Sequence, residues 1–264
     1  MKKLTVLIFV MLSMMATVGF AQQKALTTIK VLSYNIHHAN PPSKPNLIDI
    51  DAVAKVIAAH NPDFVALQEV DVNTKRSGQQ INEAQQLAAK LKMYYFFAKA
   101  IDYAGGDYGV AILSKYKILD SASYKLKSNP IGNPEARTLA IVKVKLDNKE
   151  ISFACTHLDA ERDTVSRMLQ IAQINKIVKK EKGLLFIAGD FNAEENTSVI
   201  KEFEKTFTKS CNNCEFTFPN IQPNKTIDYI GFKKNKRIVV TSHQVLNENY
   251  ASDHLPIMAT FSIH

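Results

Sequence analysis

Side chains suited to acid–base and ligating chemistry recur in six short stretches, each bordered by an apolar run: Tyr34-Asn35-Ile36, Leu67-Gln68-Glu69-Val70, Thr156-His157-Leu158-Asp159, Ala188-Gly189-Asp190-Phe191-Asn192, Ile227-Asp228-Tyr229-Ile230 and Ser252-Asp253-His254. Carboxylates, amides and imidazoles at strand ends are how α/β scaffolds assemble sites. Residues two apart in an extended segment face the same side, so Asp190 and Asn192 address one substrate. Asp228 stands inside an apolar strand pattern, where a buried carboxylate requires a partner. Taken singly, each stretch is also an ordinary polar residue at a strand end.

The elements that must position these residues are legible from periodicity. Thr28 to Ile36 reads as a strand, and Ile50, Val53 and Ile57 recur at helical spacing until Asn61-Pro62. Phe64 to Leu67 is a short strand; Ile81, Ala84, Leu87, Ala88 and Leu91 mark a helix; Tyr94 to Ala98 is the next strand. The alternation then gives way to hairpin-like strands at Gly109–Leu113, Ile118–Tyr124, Thr138–Leu146 and Ile151–Thr156, with Tyr108 and Gly109 read as structural. A long helix carried by Met168, Leu169, Ala172, Ile174, Ile177 and Val178 ends near Gly183. Strands follow at Leu184–Ala188, Thr226–Phe232, Arg237–Val245 and Leu255–Ile263. No fixed-period repeat and no low-complexity linker interrupts them, which predicts one α/β domain over residues 22–264.

The six stretches, in this order, resemble the endonuclease/exonuclease/phosphatase superfamily across nearly the whole chain. The resemblance implies a DNase I-like four-layer α/β/β/α sandwich of two mixed sheets with outer helices, and a phosphoesterase site dependent on Mg2+ or Mn2+. Phosphodiester hydrolysis needs a hard cation, an in-line water and donors for the equatorial oxygens. On this reading Glu69 ligates the cation, with Asn35 beside it and Asp253 contributing directly or through water. Asp190 orients or deprotonates the water, and Asn192 holds the phosphate or that water. His254 acts as base or electrophile with Asp228 on its other ring nitrogen, and His157 donates to a non-bridging oxygen. Arg137 matches an arginine that many extracellular-type members place near the phosphate, with a surface ion pair as its alternative. His37, His38 and Arg76 are candidate substrate contacts, balanced against plain solvated side chains.

Composition bounds the rest. The chain has 264 residues, 46% hydrophobic and 22% charged, with 9 Gly and 9 Pro, which excludes disordered, collagen-like and disulfide-scaffold classes. Lys2 and Lys3, the apolar run Leu4 to Val18 and Gly19-Phe20-Ala21 form a secretory signal pattern over residues 1–21, predicting export to the periplasm or beyond the cell. That run is shorter than the ~20 apolar residues a span needs, and no transmembrane segment is expected in the mature chain. A net charge of +8, scattered along the chain, suits phosphate-bearing or anionic surfaces. Of three cysteines, Cys211 and Cys214 read as a local disulfide in a turn, and Cys155 as a small buried hydrophobe.

The resemblance leaves the substrate open. The absence of Trp and of a long basic stripe weighs against a DNA-repair endonuclease. The run Gly105-Gly106-Asp107-Tyr108-Gly109-Val110 with Arg137-Thr138 and Thr156-His157-Leu158-Asp159 is similar to the secreted branch of sphingomyelinase-like and glycosylphosphatidylinositol-remodelling-like hydrolases. It implies a phosphodiester in a lipid head group or small molecule. A secreted nuclease on DNA or RNA and a non-catalytic binding module on the same scaffold are the alternatives.

Overall fold

A computed structural model describes residues 27–131, 134–147 and 149–264 of the chain; the signal-peptide reading lies outside the described residues. The first sheet takes β1 (Thr27–Asn35), β2 (Phe64–Val72), β3 (Tyr94–Tyr103), β4 (Gly106–Ser114), and from the far end of the chain β11 (Ile238–Val245) and β12 (Ile257–Ile263). Its order is β11-β12-β1-β2-β4-β3. The second holds β5 (Ile118–Lys125), β6 (Thr138–Leu146), β7 (Lys149–His157), β8 (Leu184–Asp190), β9 (Phe207–Lys209) and β10 (Asp228–Lys233), in the order β5-β6-β7-β8-β10-β9.

Each sheet contains one parallel pair, β1 with β2 and β7 with β8, and every other pairing is antiparallel. Parallel neighbours need a crossover, supplied by α1 (Ile50–His60) and α3 (Val165–Lys180). The local chemistry of α1 explains its limits: the Asp49 side chain accepts from the Ala52 N–H, and Asn61 adopts a left-handed conformation before Pro62. Likewise Asn82 caps α2 (Glu83–Leu91) through the Gln85 N–H.

Two sheets with helices outside bury three apolar layers. Between the sheets Ile29, Val31, Phe64, Phe153, Phe186 and Phe261 interdigitate, with Phe64 stacked on Phe153 at 5.0 Å and Phe186 against Phe261 at 4.9 Å. Helices α1 and α2 cover the outer face of the first sheet, and α3 with α4 (Ser198–Glu204) cover the second. This is the four-layer sandwich the resemblance implies.

Most elements match the sequence reading, and the departures have physical causes. The second strand runs beyond Leu67 to Val72, because a bulge lets it turn without ending. The third extends to Tyr103 at the sheet edge. Helix α3 buries Arg167, Gln170, Ile171, Ile174, Asn175 and Val178, while the expected core residue Leu169 is exposed. The two short elements α4 and β9 carry too few residues to show a period.

Candidate active site

The parallel strands β1, β2, β7 and β8 all end at one edge of the sandwich, and antiparallel β10 begins there; the loop entering β12 reaches the same edge. Asn35, Glu69, His157, Asp190, Asp228 and His254 therefore converge from two sheets. In register, His157 and Asp228 both face Asp190 across β8. Close packing is enforced at Gly189, where a Cβ would meet the Thr156 carbonyl oxygen at 2.1 Å.

Asp190 is the hub. Its Oδ2 accepts from Asn35 Nδ2 at 3.2 Å and lies 3.5 Å from His157 Nε2 and 3.7 Å from His254 Nε2. Its Oδ1 accepts from the Asn192 N–H at 2.8 Å. Burial raises its proton affinity, and nearby Asp228 raises it further. His254 Nδ1 stands 2.9 Å from Asp228 Oδ2, and its ring packs on Phe218. Burial opposes a charge on His254, but Asp228 and then Asp190 outweigh it and lift its pKa to about 10. His157 is shifted the other way, well below the usual histidine value, by burial and by the Arg137 charge.

Glu69 is aimed by backbone geometry. The β2–β4 register shifts between Leu67 and Val70, and Glu69 adopts φ 56° inside that bulge. Its Oε1 accepts from Asn35 Nδ2 at 3.1 Å. Asn35 Oδ1 is occupied by the His37 N–H at 3.1 Å, so its donor end faces Glu69 and Asp190. Asn35 thus stands beside Glu69, as expected, with its N–H₂ turned to the two carboxylates. Glu69 and Asp253 remain as hard carboxylate donors beside one cavity, and they fit magnesium or manganese. One ligand atom each from Asp190, Asp228 and His254 lies within 4.8 Å of the others, but a hydrogen bond already joins His254 and Asp228.

The cavity, of about 570 Å³, is lined by Glu69, Asp190, Asn192, Asp253, His157 and His254. Arg137, Arg162, Arg167 and Lys225 add cations. Asn192 reaches it while its Nδ2 donates to the Leu158 carbonyl at 3.0 Å. Arg137 is buried against His157 and paired with Glu135, which sets aside the surface-ion-pair alternative.

Three expected substrate contacts stand elsewhere. Arg76 clasps Asp71 through two hydrogen bonds of 2.7 and 2.9 Å and lies over the rings of Tyr103 and Tyr108, so its charge is neutralised outside the cavity. His37 and His38 stack on each other in a left-handed turn and do not line it. His37 instead holds Asn35 through its backbone.

The sequence reading singled out neither Thr217 nor a role for Ser252. Thr217 Oγ1 donates to Asp228 Oδ2 at 2.6 Å, and Ser252 Oγ donates to the Asn35 carbonyl at 2.7 Å while accepting from the His254 N–H. Thr217, Phe218 and Lys225 lie in an irregular loop with no period to betray them. The same loop begins with the expected disulfide between Cys211 and Cys214, and Cys155 is buried and free, as expected.

A four-layer sandwich with an imidazole–carboxylate pair, a second buried imidazole and free carboxylates at its strand ends defines a class of phosphate-ester hydrolases. The chain belongs to the Endonuclease/Exonuclease/phosphatase family, whose model matches residues 32–254. It is 23% identical to rat (Rattus norvegicus) Nocturnin over 253 residues, covering 80% of this chain and 58% of that protein. The chain thus spans less than two thirds of the curated relatives it matches. Among solved structures, an endonuclease/exonuclease/phosphatase from Bacteroides vulgatus superposes with a TM-score of 0.75 at 22% identity, covering 90% of this chain and all of the other. A mannosyl-6-phosphatase of Bacteroides thetaiotaomicron does so with a TM-score of 0.70 at 17% identity, covering 88% and 99%.

Proposed function

We propose that the chain is an exported, divalent-metal-dependent phosphoesterase that hydrolyses phosphodiester bonds in lipid head groups or small molecules. The observation that carries this reading is the convergence of His254, paired with Asp228, and His157 on a single oxygen of buried Asp190 inside a polar cavity.

Glu69 and Asp253 would hold a magnesium or manganese ion, which when bound neutralises phosphate charge and polarises an oxygen. Asp190, made a better proton acceptor by burial, takes the proton of the attacking water, while Asn35 and the Asn192 N–H fix its two oxygens. His254, charged through its Asp228 pairing, donates from Nε2 to the phosphate. His157 donates from the facing wall. Arg162, Arg167 and Lys225 border the cavity and suit the ester's anionic oxygens. Export rests on the signal pattern of residues 1–21, and fractionation of the producing cell tests it.

The functional test is hydrolysis of a chromogenic phosphodiester by the purified chain with magnesium, manganese or chelator, beside His254→Ala and a matching monoester. The expected result is metal-dependent diester cleavage that falls roughly 10³-fold in the variant. Faster monoester cleavage would move the substrate to phosphomonoesters, the class named by the Bacteroides thetaiotaomicron neighbour. Plasmid or RNA degradation would favour the nuclease reading. A folded chain inactive with every metal and substrate sinks the enzyme reading.

A further inference from the structure

His157 and His254 approach the same oxygen of Asp190, but their other ring nitrogens meet opposite chemistry. His254 Nδ1 meets the carboxylate of Asp228 at 2.9 Å. His157 Nδ1 meets Nη1 of Arg137 at 3.1 Å. A guanidinium offers donors only and keeps its charge. The contact is a hydrogen bond only when His157 Nδ1 presents a lone pair, which leaves the ring proton on Nε2, the nitrogen turned toward Asp190.

The guanidinium is held for this contact. Arg137 is 6% exposed, and its Nη1 lies 2.9 Å from Glu135. It cannot swing into water, and a second proton on His157 Nδ1 would face a fixed cation at 3.1 Å. Around the ring the other ionisable groups are Asp190 and His254, both on its Nε2 side.

We infer that Arg137 is a positioning residue: it locks His157 as the neutral Nε2–H tautomer, so that His157 serves as a hydrogen-bond donor to phosphate and never as the acid that protonates a leaving group. The two histidines then divide the work. His254 is backed by a carboxylate, whereas His157, backed by a cation, offers only a fixed dipole. The catalytic consequence rests on the phosphoester reading, whereas the tautomer does not.

The experiment is long-range ¹H–¹⁵N correlation of the imidazoles in the ¹⁵N-labelled full chain from pH 5 to 8, assigned with His157→Ala, for wild type, Arg137→Lys and Arg137→Met. In wild type His157 is expected to stay neutral with its proton on Nε2, and Lys, still a donor, to preserve this. Met should yield mixed tautomers and a ring that protonates within the range. In parallel, Met should lower kcat about 10–100-fold with KM within about 3-fold, and Lys should recover most of the loss. A proton on Nδ1, a doubly protonated ring at neutral pH, or a Met variant with an unchanged tautomer overturns the inference. So does a raised KM with unchanged kcat, which marks a substrate contact instead. If Met does not fold, the wild-type and Lys spectra still decide. A chain that cleaves no phosphoester sinks the functional reading alone, because the spectra judge Arg137 without it.

Discussion

Asp228 accepts two hydrogen bonds on one carboxylate oxygen, from Thr217 Oγ1 at 2.6 Å and from His254 Nδ1 at 2.9 Å. Thr217 also accepts from the Ile227 N–H at 3.2 Å, which ties the hydroxyl to the start of β10. Removing the hydroxyl leaves Asp228 free to rotate and His254 less firmly oriented, although neither is deleted. Thr217→Val should therefore lower kcat roughly 10-fold with KM nearly unchanged, cost ~1–2 kcal/mol of stability, and be rescued by Thr217→Ser. Urea titration and steady-state kinetics on the three proteins check this; full activity in the valine variant would show that Asp228 is held by the backbone alone. The chemistry-bearing members of the site were visible in the sequence because each borders or interrupts an apolar run. Thr217 was not, since a loop threonine eleven residues from its partner carries no pattern. Nor was the orientation of Asn35, which depends on a backbone N–H two residues away.

Backbone conformation at element ends does what side-chain type alone does not. Three successive residues, His37, His38 and Ala39, have φ between 41° and 53°, so the chain leaves β1 in a strained left-handed turn that brings the His37 N–H to Asn35. The same economy appears where α2 meets β2. Glu83, the first residue of α2, is fully buried and accepts from the Asp71 N–H at 2.8 Å, while its other oxygen lacks a partner. Burial, with the Asp71 charge adding, raises its pKa from the usual 4.5 to about 8. Between those values the folded chain holds a proton that the unfolded chain releases, so Glu83 makes stability fall as pH rises from about 4.5 through about 8. Glu83→Gln keeps the acceptor and cannot ionise; it should be more stable to urea than wild type at pH 9, by up to ~5 kcal/mol, and match it near pH 4.5. Equal midpoints at pH 9 would mean that Glu83 ionises in the fold without cost. Sequence periodicity located both elements, but not this junction, because a glutamate at a helix start reads as an ordinary exposed favourable charge. Bulges, left-handed turns and the short α4 and β9 stay hidden for a related reason: each is decided by contacts distant in sequence.

At the scale of the whole molecule the site lies on a seam. Asn35, Glu69 and His254 come from the first sheet and its loops, His157, Asp190 and Asp228 from the second, so catalytic geometry reports how the two sheets sit on each other. The chain interleaves them: its first and last strands build one sheet and the strands between build the other. The first sheet is incomplete until its late strands β11 and β12 join the early ones, and neither inner face is covered without its partner. This makes independent unfolding of the layers costly. Phe153 stacks on Phe64 across that seam and is fully buried, while belonging to no part of the cavity. Phe153→Ala should cost ~3–5 kcal/mol by opening a void between the sheets. Backbone circular dichroism, tyrosine circular dichroism and loss of activity should still change together along the urea axis, all shifted to lower concentration. If the three signals separate, in wild type or in the variant, the layers unfold as distinct units, and the shared core between the sheets does not bind the chain into one cooperative domain.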